Sequence, residues 1–377
     1  VNTFADAKTL VPRHIAPDRE PEGVNFLCML NNGQKISAGG GRQRKIFAHT
    51  YDDIISVENL LEAWKEFLRG KRQKKDVQEF QADLMHNLLS LHQDLVSQTY
   101  RHGGYQHFKI ADPKPRDIHK ASVRDRLLHH ALYRQLYPFF DRTFTNDSYS
   151  CRVGKGTHKA MDQFRRFAYQ VSKNHTRTAW VLKCDIRKFF ASIDHEVLYG
   201  ILQKHVIDRN VLWLLREVVG SFEGHQMSVK WGSRTSPKGL PLGNLTSQLL
   251  VNIYMNEFDQ FVKHKLKAKY YVRYADDFVL LSHDKSELEK RLRYIVVFLH
   301  EQLKLELHPN KVSIQTFASG VDFLGWVHFA DHRVLRTSSK RRMFRRLQEK
   351  KDDENTKQSY LGMLNHGNTK KLQAKVL

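Results

Sequence analysis

The sequence predicts an α+β fold, and three features carry that prediction. Apolar residues recur at helical spacing in several long stretches, short aromatic and β-branched runs lie between them, and 41% of the chain is apolar, enough for two or three subdomains around a substantial core. The first helix starts after Ser56, a good N-cap, places Val57, Leu60, Leu61, Trp64, Phe67 and Leu68 on one side, and ends at Gly70. A second is expected over 76–98, where Phe80, Leu84, Leu88, Leu91 and Leu95 share a face. Between the two lies KRQKK (71–75), read either as a solvated turn or as a phosphate contact. FKIADPKPRDI (108–118) reads as strand, proline-rich turn, strand, and a long helix over 123–141 follows. AWVLKC (179–184) is a short buried strand running straight into Asp185. Helices are expected over 194–206, 208–220 and, strongly amphipathic, 247–266. Residues 270–282 form a hairpin, and 287–303 a helix with Leu288, Leu292, Ile295 and Leu299 inward. VSIQ (312–315) and VDFLGWVHF (321–329) are strands, and from Lys340 the chain is helical and very basic. Residues 1–50 carry little pattern beyond a basic loop around Gly39, Gly40 and Gly41.

Lys and Arg outnumber Asp and Glu by 62 to 40, a net charge of +22. Such an excess adds nothing to fold stability but attracts polyanions. With 22 Phe and 14 Tyr as stacking surface, nucleic acid is the first partner to consider and an anionic membrane surface the second. No run of 18 apolar residues offers a membrane span, and the N-terminus lacks an apolar signal core. Cys28, Cys151 and Cys184 have no metal-ligand spacing, so they read as small buried hydrophobes in a reducing cytosol.

The chemistry concentrates in YYVRYADDFVLLS (270–282), where Asp276 and Asp277 interrupt an apolar hairpin. Neighbours in a regular strand point to opposite faces, so a two-residue turn is expected to let both carboxylates converge at its tip. Two adjacent acids call for a cation. A divalent site needs a third carboxylate, and Asp185, at the exit of another buried strand, is the candidate. Mg²⁺ takes carboxylate and phosphate oxygens, and two such ions serve phosphoryl transfer.

Three stretches in order, VLKCDIRKFFASIDH (181–195), KGLPLGNLTSQLLVNIYMNEFD (238–259) and YVRYADDFVLL (271–281), resemble the palm of reverse transcriptases. DPKPRDI (112–118) and SYSCRVGKGTHKAM (148–161) are similar to its fingers motifs, and LELHPNKVSI (305–314) with VDFLGWVHF to those after the hairpin. The resemblance covers roughly 50–370. It implies a right-hand polymerase with an N-terminal extension over 1–50, fingers over 51–180, a palm over 181–330 and a small basic helical thumb over 331–377. It also implies no added maturase, DNA-binding or endonuclease module.

Residue by residue, the resemblance implies Asp185, Asp276 and Asp277 as metal carboxylates, Asp277 the more peripheral, with the Ile186 carbonyl completing the first site. The cofactor implied is a pair of Mg²⁺ ions, with Mn²⁺ an alternative. Phe190 matches the steric gate over the ribose 2′ position, with Phe189 competing for the role. Lys114 and Arg116 match the cations over the incoming dNTP, and Lys311 a donor of the proton taken by pyrophosphate. Leu242 and Gly243 would approach the nascent base pair, with Gln248 ending the same motif. Most reverse transcriptases carry Gln where Leu242 stands and Pro where Gln248 stands. GLPLGNLTSQ and the end of the chain, SYLGMLNHGNTKKL (359–372), resemble the enzymes of diversity-generating retroelements. Those copy a template RNA with errors at adenines and work with a basic oligomeric accessory protein. Template RNA, the RNA/cDNA duplex and dNTPs are the implied partners, with no membrane, in a bacterial or phage-encoded cytoplasmic protein. Two rival readings are a retron or antiphage-defence reverse transcriptase, and a non-catalytic RNA-binding scaffold.

Independently of the resemblance, Lys340, Arg341, Arg342, Arg345, Arg346, Lys350 and Lys351 recur at helical spacing. Arg341 with Arg345, and Arg342 with Arg346, are like-charge i,i+4 pairs that destabilise a lone helix. Nucleic-acid phosphates would offset the repulsion; a plain solvated face is the other reading.

Overall fold

Helices cover both faces of a small central sheet, and a separate hairpin and a C-terminal helical cap flank it. The structure, a computed structural model, describes residues 45–111, 115–222, 237–350 and 353–376. The glycine-rich loop at 39–41, Lys114 and Lys351 lie outside the described residues.

The first described helices, α1 (Tyr51–Ile55) and α2 (Val57–Phe67), are separated by Ser56, whose side chain accepts from the Asn59 N–H as an N-cap should. The run expected over 76–98 is two helices, α3 (Lys75–Ala82) and α4 (Leu84–Val96). Asp83 leaves the helical region at φ −125°, and the Asn87 side chain donates to the Phe80 carbonyl at 3.0 Å. Periodicity could not reveal that break, because a side chain replaces the missing backbone partner. α5 (Val123–Asp141) follows the antiparallel hairpin β1 (Tyr105–Ile110) and β2 (Arg116–Ala121) and packs on α2. Asn59 fastens the two helices by donating to the Ala131 carbonyl.

The four-stranded antiparallel sheet has the order β4 (Tyr271–Tyr274), β5 (Asp277–Ser282), β3 (Trp180–Asp185), β6 (Ser313–Thr316). Alternation decides which side chains face which layer. Leu182, Cys184, Phe278 and Leu280 join the larger core, built with α10 (Leu245–Gln260) and α11 (Lys285–Leu303). Val181, Val279 and Leu281 face α6 (Thr157–Val171) through Phe164, Phe167 and Val171. The short helix α7 (Phe189–Ser192) leads from β3 into α8 (His195–Gln203) and α9 (Arg209–Gly220). The 247–266 stretch is helical, but its end, Phe261–Lys265, widens into a π turn that buries both Phe261 and Val262.

A three-stranded sheet, β7 (Val321–Phe323), β8 (Trp326–His328) and β9 (Arg333–Leu335), continues from the first. On it sit α12 (Thr337–Glu349), α13 (Glu354–Leu364) and α14 (Lys370–Gln373). Trp326, Leu335, Met343 and Leu364 form their shared core with Met161 from α6.

Candidate active site

The central sheet brings the end of β3 beside the start of β5. Asp185 and Asp277 are directly opposed partners in that register. The turn between β4 and β5 is Ala275–Asp276, so Asp277 is the first residue of the strand and not part of the tip. This corrects the expectation that both acids occupy the turn: only Asp276 does, and Asp277 stands opposite Asp185 across the strands. Asp276 is tied in through its backbone, its carbonyl accepting from the Ile186 N–H at 3.2 Å. Ala275 adopts a positive φ of 55°, unusual for a residue with a Cβ.

A buried ion pair holds that turn. Arg273, 1% exposed, donates to Asp259 through Nε (2.7 Å) and Nη2 (2.6 Å). Tyr271 donates its hydroxyl to the same carboxylate, while Nη1 of Arg273 reaches the Ala275 carbonyl at 3.1 Å and Nη2 the Ser148 hydroxyl at 3.0 Å. Neither Arg273 nor Asp259 was singled out in the sequence. The signal was there: an Arg amid apolar strand residues, and an Asp on the helix that covers the strand.

The acids themselves lack such compensation. Burial, then the Asp185 charge, raises the carboxyl pKa of Asp276, while Lys311 and Arg116 oppose the rise. Asp277 is pushed up to about 7, chiefly by burial. Its Oδ1 is covered and has no hydrogen-bond partner, and Lys183 stands 4.0 Å away. Lys311 pairs with Asp185 at 2.7 Å. Among the described residues no three His, Cys, Asp or Glu side chains converge as a metal cluster as they stand. Crowded negative charge and an unpartnered carboxylate oxygen nevertheless match a cation, as does an all-oxygen donor set.

Arg116 opens β2 and is exposed. Phe189 is 4% exposed and belongs to the core, whereas Phe190 is only partly buried. Its carbonyl accepts from the Leu240 N–H at 2.8 Å, joining α7 to the segment before α10. Leu242 is half-buried beside β2, its carbonyl accepting from the His119 N–H at 3.1 Å. Gly243 has φ +108°, which favours glycine, and a Cβ there would meet Ile118 at 3.1 Å and make that side chain give way slightly. Gln248 is half-buried in the first turns of α10. On α12, Lys340, Arg341 and Arg345 are exposed and Arg342 and Arg346 half-buried, with Met343 turned into the cap core. Arg345 also pairs with Glu349 at 3.6 Å.

Comparison with known proteins gives a consistent family. Residues 109–328 match the family model described as reverse transcriptase (RNA-dependent DNA polymerase). The chain is 27% identical over 261 residues to Protein YkfC of Escherichia coli strain K12, covering 60% of this chain and 65% of that protein. It is 24% identical over 293 residues to the group II intron-encoded protein LtrA of Lactococcus lactis subsp. cremoris, covering 61% and 46%. It thus spans less than two thirds of either relative's length. Among solved structures, telomerase from Candida albicans aligns at 13% identity and a TM-score of 0.45, covering 65% of this chain and 48% of that one.

Proposed function

The chain belongs to the reverse transcriptase (RNA-dependent DNA polymerase) family, and from that premise we propose that it copies RNA into cDNA. The observation that carries the proposal is the register setting Asp185 against Asp277, with Asp276 fastened to Ile186 at the same strand end. The carboxylates of Asp185 and Asp276 and the Ile186 carbonyl would hold Mg²⁺, with Asp277 at the periphery. When bound, the metal supplies activation of a primer hydroxyl and neutralisation of phosphate charge. Mn²⁺ fits the same oxygen donors.

The protein's own groups do the rest. Arg116 offers a guanidinium to the triphosphate, and Lys114 is assigned the same task. Lys311 carries a proton on Nζ for the departing pyrophosphate and meanwhile balances Asp185. The Phe190 ring fills the space of a ribose 2′-hydroxyl and so favours dNTPs. The α12 cations take the RNA/cDNA duplex.

Primer extension on an RNA template tests this. Asp276→Asn keeps the shape and removes the charge, so synthesis should be abolished while RNA binding persists. Near-normal extension by that variant overturns the assignment and favours a non-catalytic RNA-binding role.

The finer proposal is adenine-directed infidelity, as in a diversity-generating retroelement. Leu242 offers packing where a Gln amide would hydrogen-bond, and one such bond is worth about 0.5–1.5 kcal/mol. Adenine pairs through two hydrogen bonds and has the least to spare. With its template RNA and a basic accessory protein present, the wild type should concentrate errors at adenines. Leu242→Gln should reduce them selectively. A base-independent error rate would leave a retron, defence or intron-type enzyme, and the kinship with LtrA supports the last at the level of general activity.

A further inference from the structure

Asn244 occupies the N-cap position just before α10, and its residue type ordinarily turns the side-chain oxygen onto the first N–H groups of the helix. Here it makes no such cap. Its carboxamide reaches away instead, Nδ2 donating to the His119 carbonyl on β2 at 3.1 Å. Its Oδ1 is left buried without a partner, in a residue only 2% exposed. The orientation is fixed by chemistry, since flipping the amide would set two oxygens face to face. The His119 N–H in turn donates to the Leu242 carbonyl at 3.1 Å. One residue of the hairpin is thus bonded through both its backbone groups to the 242–244 loop. Between the two bonds, Gly243 comes so near Ile118 that a Cβ would have to push it aside.

We propose that Asn244 is a positioning residue: it clasps the β1–β2 hairpin to the loop carrying Leu242, and through that clasp sets nucleotide selection. The proposal rests on the polymerase reading above. Its logic is geometric. Arg116 and His119 lie three residues apart on one strand, so fastening His119 to the loop fixes Leu242 relative to the cation assigned to the triphosphate. Without the clasp, the hairpin and the loop are joined by the Leu242 bond and apolar contact, and each shifts more freely against the other. A side chain that forgoes its own helix and leaves an acceptor unpaired has its donor committed elsewhere.

Asn244→Asp separates positioning from a plain helix-start role. The carboxylate keeps the size, can cap the helix and favours its N-terminus, but has no donor for His119. If Asn244 only starts the helix, the variant should match the wild type throughout. The clasp predicts an unchanged or higher melting temperature with faster amide hydrogen exchange at His119, the central sheet staying protected. In primer extension, KM for the complementary dNTP should rise about three- to tenfold, the worth of one hydrogen bond, with kcat changed less and the error spectrum altered. Asn244→Gln, which retains a donor, should recover part of the loss. Unchanged exchange at His119 overturns the clasp. Faster exchange with wild-type KM and errors overturns its role in selection. A wild type that extends no primer overturns the polymerase reading and the selection role together, while exchange at His119 still decides whether the clasp exists.

Discussion

Replacing Arg273 by Met leaves Asp259 as a buried carboxylate with only the Tyr271 hydroxyl to answer it, and removes the donor from the Ala275 carbonyl. Both members of the pair are sealed from solvent, at 1% and 0% exposure. Breaking a buried pair by removing one partner costs about 3–5 kcal/mol, a large share of the roughly 5–15 kcal/mol that holds a typical protein folded. Arg273→Met should therefore lower the unfolding free energy by that amount, seen as a lower urea midpoint at unchanged m-value. Replacing Arg273, Asp259 and Tyr271 together by Met, Leu and Phe removes charge and hydroxyl alike. Apolar groups of similar volume often equal or exceed a buried pair in stability, so the triple variant should regain most of the loss. It should not regain activity. The Ala275 carbonyl, one residue before Asp276, still lacks its guanidinium, and the left-handed Ala275 is then free to relax. Urea titration and RNA-templated primer extension on the single and triple variants form the assay. A cost below about 1 kcal/mol for Arg273→Met, or full extension by a refolded triple variant, would refute the reasoning.

Three further outcomes are expected. Phe190→Ala should admit ribonucleotides in single-nucleotide incorporation with little loss of stability, whereas Phe189→Ala should cost about 3–5 kcal/mol, because only Phe189 is fully in the core. RNA binding should weaken with salt at a log–log slope of about −3 to −4 if the five α12 cations meet single-strand phosphates, and a flat dependence measured by filter binding would remove them from the interface. His129 and His328 stay neutral when folded because burial lowers their pKa from 6.5 to about 3 and about 4. The unfolded chain therefore binds their protons first as pH falls through 6.5, and stability should drop with acidification from there toward 4, by up to about 1.4 kcal/mol per pH unit for each. His328→Gln should lessen that slope in urea melts taken between pH 6.5 and 4.5.

Where pattern and packing agree, the sequence was readable. Ser56 capped the helix it was expected to cap, and the inward leucines of 287–303 are the buried ones. AWVLKC, expected as a buried strand, and FVLLS, expected as a hairpin strand, are the two central strands of the sheet, buried on both faces as their near-continuous apolar runs require. What stayed hidden depends on partners far along the chain. The helix Thr157–Val171 is absent from the sequence reading, although Ala160, Phe164, Phe167 and Val171 keep helical spacing and close the second face of the sheet. The pairing of Asp277 with Asp185 followed from register with β3, which a local reading of the hairpin could not supply. The role of Asn244 could not be read locally, because its acceptor, the His119 carbonyl, lies 125 residues away.

The aspartates divide into two kinds, and the division bears on which of them act. Asp259 is wholly buried and fully answered by Arg273 and Tyr271. Asp125, 1% exposed, accepts from Tyr100, Ser122 and the Gly103 N–H. Each is costly to bury and each has its cost met locally, which is what a structural acid requires. Asp276 and Asp277 are treated differently. Their carboxyls are raised, and one covered oxygen of Asp277 has no hydrogen-bond partner, with only Lys183 at 4.0 Å, in a chain with 62 basic residues and a net charge of +22. Cations to neutralise them are not scarce. Asp259 and Asp125 are compensated fully and Asp276 and Asp277 incompletely, which leaves room for positive charge arriving with the substrate, and that is the condition the proposed nucleotidyl transfer sets.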